Sequence, residues 1–324
     1  MQLIRGYGAI KAEHRNCVAT IGNFDGVHLG HQSILRQVQT YAEREGLATC
    51  AIVFEPLPRE FFVQSQGVVQ SRGHSLQARI YTFRDKLEAF SSANVDQVLC
   101  LNFNDALRGL TAEQFVRHIL VDGLGIRHLV VGDDFRFGCD RNGDFDSLCA
   151  MGEQFGFTVE NSCTVEIAGE RVSSTRIREA LEQGHFAEAE QLLGRPFMIS
   201  GRVNHGQKLG RKLGFPTINL PLGRSHSPVR GVYIVRVHGV LENGVERIYN
   251  GIANVGSRPT VNGTRDRLEV HLLNFEGDLY GHRLCVEFIE KIRGEQRFDS
   301  LADLKLAIAD DRRKALGYFL SFEH

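Results

Sequence analysis

Apolar positions in the first half of the chain follow two alternating periods. Continuous apolar, mostly β-branched runs occur at Cys17–Ile21, Thr49–Phe54, Gln97–Leu101 and His128–Val131. Such runs predict strands buried on both faces. Between them, apolar residues recur at helical spacing. Ile34, Leu35, Val38 and Ala42 predict a helix that stops at Gly46. Thr111–Gln114 is a capping box opening a helix through Phe115, Ile119 and Leu120. Strands alternating with helices predict an α/β doubly wound parallel sheet. Ligands of such sheets bind outside the carboxyl ends of the strands. Three loops leave predicted strands there: 22–31, 55–58 and 132–138. In the second, Pro56 and Pro58 stop the sheet and fix the chain.

After a short predicted helix, Phe186 to Leu193, closed by Gly194, the pattern changes. Strands now come in short runs: Ile199–Val203, Gly231–Val237, Arg247–Ala253, Leu268–Leu273 and Leu284–Phe288, with Asn243-Gly244 as a hairpin turn. This predicts a small antiparallel β-barrel. A terminal helix follows, capped by Asp299 or Ser300, with Leu301, Leu304, Ile308, Ala315, Leu316 and Phe319 on its apolar face. The change of pattern puts a boundary near 184–195 and predicts domains at 1–184 and 185–324.

Composition narrows the function classes. A chain of 324 residues fits two domains. A net charge of −1 offers no broad surface for nucleic acid. No apolar run is long enough to span a membrane, and Met1–Arg5 lacks the apolar core of a signal peptide. Seven scattered cysteines, with no CxxC pair, predict neither a disulfide framework nor a zinc site and fit a reducing cytoplasm.

The chemistry concentrates in a few stretches. Gly22, Asn23, Phe24, Asp25 and Gly26 turn the first strand into a helix whose entrance holds His28 and His31. Unpaired amides and the helix dipole favour an anion there, and two imidazoles three residues apart add to the site. The spacing resembles the HxGH signature of nucleotidylyltransferases, which handle the triphosphate of ATP. A GxGxxG dinucleotide pattern is absent. The 132–138 loop brings Asp133, Asp134, Phe135 and Phe137 together, a platform for a flat ring with charge nearby. At Val172–Arg178, hydroxyls and arginines open another helix and form a second anion site. It resembles the (I/V)SST-x-x-R element of the HxGH enzymes.

In the second half, 201–219 places Gly201, Gly206, Gly210, Arg211 and Lys212 ahead of Pro216-Thr217-Ile218-Asn219. No Walker A lysine motif occurs. The parts nonetheless suit a nucleotide: amides for phosphates, cations for their charge, and Thr217 and Asn219 oxygens for Mg²⁺.

Across essentially its whole length, the chain resembles the bacterial bifunctional riboflavin kinase/FMN adenylyltransferase (FAD synthetase) family. The resemblance implies two ATP-dependent reactions, riboflavin to FMN and FMN to FAD, with Mg²⁺. It implies that His28 and His31 hold ATP phosphates and that Ser174, Thr175 and Arg178 close the triphosphate site. The 55–58 and 132–138 loops would then meet the flavin. In the kinase it implies Thr217 and Asn219 as metal residues and Glu269, in Leu-Glu-Val-His-Leu, as the catalytic carboxylate. Asn254 and Arg258, within 253–260, and Arg293, in Lys-Ile-Arg, match stretches lining the flavin and nucleotide site. Two positions depart from the family pattern. Ile218 replaces a small residue, and Leu57 stands where many relatives have histidine. Ile218 alone supports the alternative of a single-activity adenylyltransferase with a degenerate barrel. A non-catalytic flavin- or nucleotide-binding module is a second alternative, opposed by the joint presence of His28, His31, Thr217, Asn219 and Glu269.

Overall fold

A computed structural model describes residues 1–65, 78–206, 209–223, 226–242, 244–260 and 263–321. The chain forms two compact units. One comprises Met1–Leu76 with Phe83–Ser173, the other Gln77–Thr82 with Ser174–His324.

The first unit is built on a six-stranded sheet. Its strands are β1 (Gln2–Arg5), β2 (Cys17–Ile21), β3 (Ala48–Phe54), β4 (Gln97–Leu101), β5 (His128–Val131) and β6 (Thr158–Asn161). Their order is β1-β4-β3-β2-β5-β6, every neighbouring pair parallel. The central strands lie where the apolar runs put them. Alternation along β2 shows how the sheet is covered on both faces. Cys17, Ala19 and Ile21 join a cluster with Phe115, Ile119 and Leu120, while Val18 meets Val38 and Ala42 of helix Leu29–Glu45. That helix ends at Gly46, whose φ of 65° is the left-handed C-cap that glycine favours. Thr111 caps its helix as a complete capping box with Gln114. The edge strands β1 and β6 carry no readable pattern, because each is short and largely exposed. A small hairpin, β7 (Glu166–Ile167) and β8 (Glu170–Arg171), follows.

The second unit opens with helices Ser174–Gln183 and Phe186–Leu193. An antiparallel six-stranded sheet follows, curled into a nearly closed barrel. Its strands are β9 (Met198–Arg202), β10 (Ile218–Pro221), β11 (Gly231–Glu242), β12 (Val245–Thr260), β13 (Gly263–Leu272) and β14 (Arg283–Arg293). Their order is β10-β13-β12-β11-β14-β9. The two ends approach where the Asn204 amide donates to the Asn219 carbonyl at 2.9 Å. Rings of Phe186, Phe197, Tyr233 and Phe288 fill the core beneath the second helix. Asn243 of the expected hairpin turn lies outside the described residues. The terminal helix, Leu301–Leu320, is capped by Ser300. Its Ala315 and Phe319 pack against Ile234, Ile252 and Leu273.

All seven cysteines are free thiols. Among the described residues no helix is long and apolar enough to cross a membrane.

Candidate active sites

In the first unit, β3, β2 and β5 are adjacent and parallel. The 22–31, 55–58 and 132–138 loops therefore leave neighbouring strands at one end of the sheet. The first loop makes its turn with Phe24 at φ 47°, Gly26 at 85° and Val27 at 39°. A left-handed conformation is costly for a buried, β-branched residue such as Val27, so the surroundings must hold it. His28 caps the helix: its Nδ1 accepts from the His31 amide at 3.4 Å. The two rings stack, centroids 3.7 Å apart. Gly30 explains the residue between them. A Cβ there would sit 3.1 Å from the His28 ring, so glycine lets the imidazole lie over the first helical turn. Asp25 and His28 are both buried.

Pro58 begins helix Pro58–Ser65 rather than continuing a loop, a position suited to its fixed φ and missing amide hydrogen. Leu57, the departure from the family pattern, donates its amide to Glu60 Oε2 at 3.1 Å. In the third loop Phe135 and Phe137 stack at 5.4 Å. Phe137 is buried in the core, against Phe115, and Phe135 is half-buried above it. Asp133 and Asp134 are exposed and joined to Arg171 at 2.8 and 3.3 Å, with Thr164 donating to Asp133. Ser174 and Thr175 open a helix that goes with the second unit. Further along that helix, Arg178 Nε donates to the Ala78 carbonyl at 2.8 Å.

In the second unit, strand register assembles the site. Asn219 on β10 pairs with Glu269 on β13, and Glu269 pairs with Asn254 on β12. Asn254 pairs with Val232 on β11, and Val232 with Arg293 on β14. Directly paired residues point to the same face of a sheet. All five line one cavity of about 530 Å³, together with Thr217. Leu268, Val270 and Leu272, the alternate residues of β13, are buried on the other face.

A smaller cavity of about 250 Å³ adjoins, lined by Arg211, Ile218, Phe275 and Tyr280, and Thr217 borders both. Ile218 thus sits in the second cavity while its neighbour Asn219 faces the first. Two of the glycines make room for these residues. At Gly206 a Cβ would come within 2.3 Å of the Asn219 amide, and at Gly210 within 2.3 Å of the Phe215 carbonyl. Gly201 lies inside β9, where a Cβ would press on Leu220 at 3.2 Å. Lys212 falls in helix Leu209–Leu213 and Arg258 in β12. His271 Nδ1–H donates to the Pro216 carbonyl at 2.8 Å and so holds the chain just before Thr217. Burial lowers its pKa, leaving a neutral ring at pH 7.

Sequence reading missed two supports of this cavity. Asp311, on the terminal helix, grips Arg293 through Nε at 3.0 Å and Nη2 at 2.7 Å. Phe298 lies 5.6 Å from the same guanidinium. Helical spacing marks Asp311 only as a polar position, so its partner was invisible. Among the described residues no three His, Cys, Asp or Glu side chains group as a metal site.

Comparison with known proteins agrees with this layout. The model of the FAD synthetase family matches residues 10–176, and that of the riboflavin kinase family matches residues 193–319. A Pseudomonas fluorescens protein named bifunctional riboflavin kinase/FMN adenylyltransferase is 53% identical over 312 residues, 96% of each chain. The protein of that name from Escherichia coli K12 is 45% identical over 320 residues, 98% of each. A solved structure described as a macrolide-efflux protein from Streptococcus pneumoniae is 28% identical. It superposes with a TM-score of 0.76, covering 97% of this chain and 98% of its own.

Proposed function

Because the chain belongs to the bifunctional riboflavin kinase/FMN adenylyltransferase family, we propose how its residues divide the two reactions. The protein phosphorylates riboflavin to FMN with ATP and adenylylates FMN to FAD with release of pyrophosphate. Residues 1–184 carry the adenylyl transfer and 185–324 the kinase.

The kinase reading rests on the row Asn219–Glu269–Asn254 lining one cavity. The larger cavity, with its apolar wall of Leu301, Leu304 and Ile308, suits the flavin rings; the smaller suits the nucleotide. Glu269 accepts the proton of the riboflavin 5′-hydroxyl as that oxygen attacks the γ-phosphate of ATP, and ADP leaves. Arg293, held by Asp311, and Asn254 orient the flavin. Thr217 and Asn219 offer neutral oxygens on one cavity wall, a donor set that fits Mg²⁺ shared with ATP phosphates. When bound, the ion neutralises phosphate charge. Gly206, Gly210, Arg211 and Lys212 bound the nucleotide side.

In the first unit, a phosphate oxygen of FMN attacks the α-phosphate of a second ATP and pyrophosphate departs. That nucleophile is already ionised, so no base is required. The helix entrance, His28 and His31 supply what remains: positive charge and donors where pyrophosphate charge develops. Ser174, Thr175 and Arg178 complete the triphosphate site, and Phe135 offers a ring face to the isoalloxazine. Seven free thiols support a cytoplasmic setting.

Incubation with riboflavin, ATP and Mg²⁺, followed by separation of the flavins, tests the whole assignment. FAD is the expected product. FMN alone would leave only the kinase active, and unchanged riboflavin would reduce the protein to a binder.

A further inference from the structure

Lys86 is a charged side chain that neither reaction accounts for. It sits on helix Phe83–Ser92 and is only 1% exposed. Taking an ammonium out of water costs several kcal/mol in effect unless its surroundings compensate. Its Nζ donates to the backbone carbonyl of Asn23 at 2.6 Å. Asn23 belongs to the turn that carries the chain from β2 to His28 and His31.

Two further contacts make the same helix a brace for that turn. Phe90, one helical turn beyond Lys86 and fully buried, meets Phe24 edge-on at 5.3 Å. Phe24 in turn lies 5.0 Å from the His31 ring. At the far end of the turn, Gln32 Nε2 donates to the Val27 carbonyl at 3.0 Å. The strained residues Phe24, Gly26 and Val27 thus lie between a hydrogen bond from Lys86 and one from Gln32. A charged donor on a carbonyl is stronger than a neutral one, and it polarises the peptide it holds. Apolar packing by Phe90 alone would support the turn without burying a charge.

We propose that Lys86 is a positioning residue for adenylyl transfer, holding the 22–28 turn so that His28 and His31 meet the triphosphate in register. This rests on reading those two histidines as the phosphate site. Misplacing reacting groups by about 1 Å can cost about 10²-fold in rate.

The test uses the full chain, because the kinase reports on the integrity of each variant. Lys86→Met keeps the length and apolar stem of the side chain and removes the charge. It should lower kcat for FMN adenylylation by about 10–10²-fold, with KM for FMN little changed and riboflavin phosphorylation at the wild-type rate. Lys86→Ala, assayed with n-propylamine, should regain turnover as the amine enters the vacated space; a merely structural role predicts no such recovery. Wild-type adenylylation in Lys86→Met overturns the proposal. If Lys86→Met does not fold, absence of amine rescue in Lys86→Ala overturns it. His28→Ala, run in parallel, separates the two failures: full activity there removes the phosphate-site reading, while an inactive His28→Ala beside an active Lys86→Met removes only the role of Lys86.

Discussion

Asn219 and Glu269 face each other across the β10–β13 pair, so amide and carboxylate open onto one cavity. The placement gives each a different task within the same few ångströms. One is a neutral oxygen ligand, the other a base.

Glu269→Gln keeps the shape of the wall and removes the proton acceptor. General-base assistance contributes about 10²–10⁴-fold to rate. Kinase kcat should fall by about that factor, with riboflavin binding and adenylylation of supplied FMN unchanged. Steady-state kinetics of both reactions on one preparation decide this; wild-type kinase turnover would leave Glu269 as a wall residue only.

Asn219→Ala should weaken use of Mg·ATP in the kinase step and leave adenylylation alone. A neutral oxygen holds Mg²⁺ well only when phosphates share it. Titration calorimetry should therefore show weak Mg²⁺ binding without nucleotide, and a rise in KM for Mg·ATP in the variant. Tight Mg²⁺ binding by the nucleotide-free protein contradicts the picture.

His28→Ala and His31→Ala should each depress adenylyl transfer by about 10²–10³-fold, the usual effect of losing one preorganised donor. Riboflavin phosphorylation should stay near normal. An equal fall in both activities would indicate misfolding.

Much of this was legible in the sequence, for a physical reason. Strands buried on both faces must be continuously apolar, so β2 to β5 stand out, and the HxGH spacing belongs to one helix entrance. What stayed hidden depends on partners far along the chain. Edge strands β1 and β6 bury too little to leave a pattern. β10 is four residues long and begins inside Pro-Thr-Ile-Asn, where the motif masked the strand. The pairing of Arg293 with Asp311 and of Lys86 with Asn23 joins residues 18 and 63 positions apart. No local period records such distances.

Asp311→Ala strips a bidentate partner from Arg293 where the carboxylate is 2% exposed. Breaking a buried pair by removing one member typically costs about 3–5 kcal/mol. The kinase unit should melt earlier and KM for riboflavin should rise. Thermal unfolding that matches the wild type would show that the pair contributes little.

Expressed separately, 1–184 should make FAD from supplied FMN, and 185–324 should stop at FMN. Beginning the second fragment at 174 should raise its melting temperature, because Lys291 Nζ then regains the Glu182 carbonyl it meets at 2.9 Å. A well-folded 185–324 fragment unable to phosphorylate riboflavin would show that the kinase does not stand alone.

The row from Asn219 to Arg293 has a genetic consequence. It is written in strand register, so it can be erased without altering one of its side chains. Deleting a single residue from β12 ahead of Asn254 would turn that amide to the opposite face. Substitutions inside these strands are graded in effect, whereas a one-codon insertion or deletion is all-or-none. Descendants of this sequence can lengthen or shorten the 273–282 connection, but the strands themselves must keep their count.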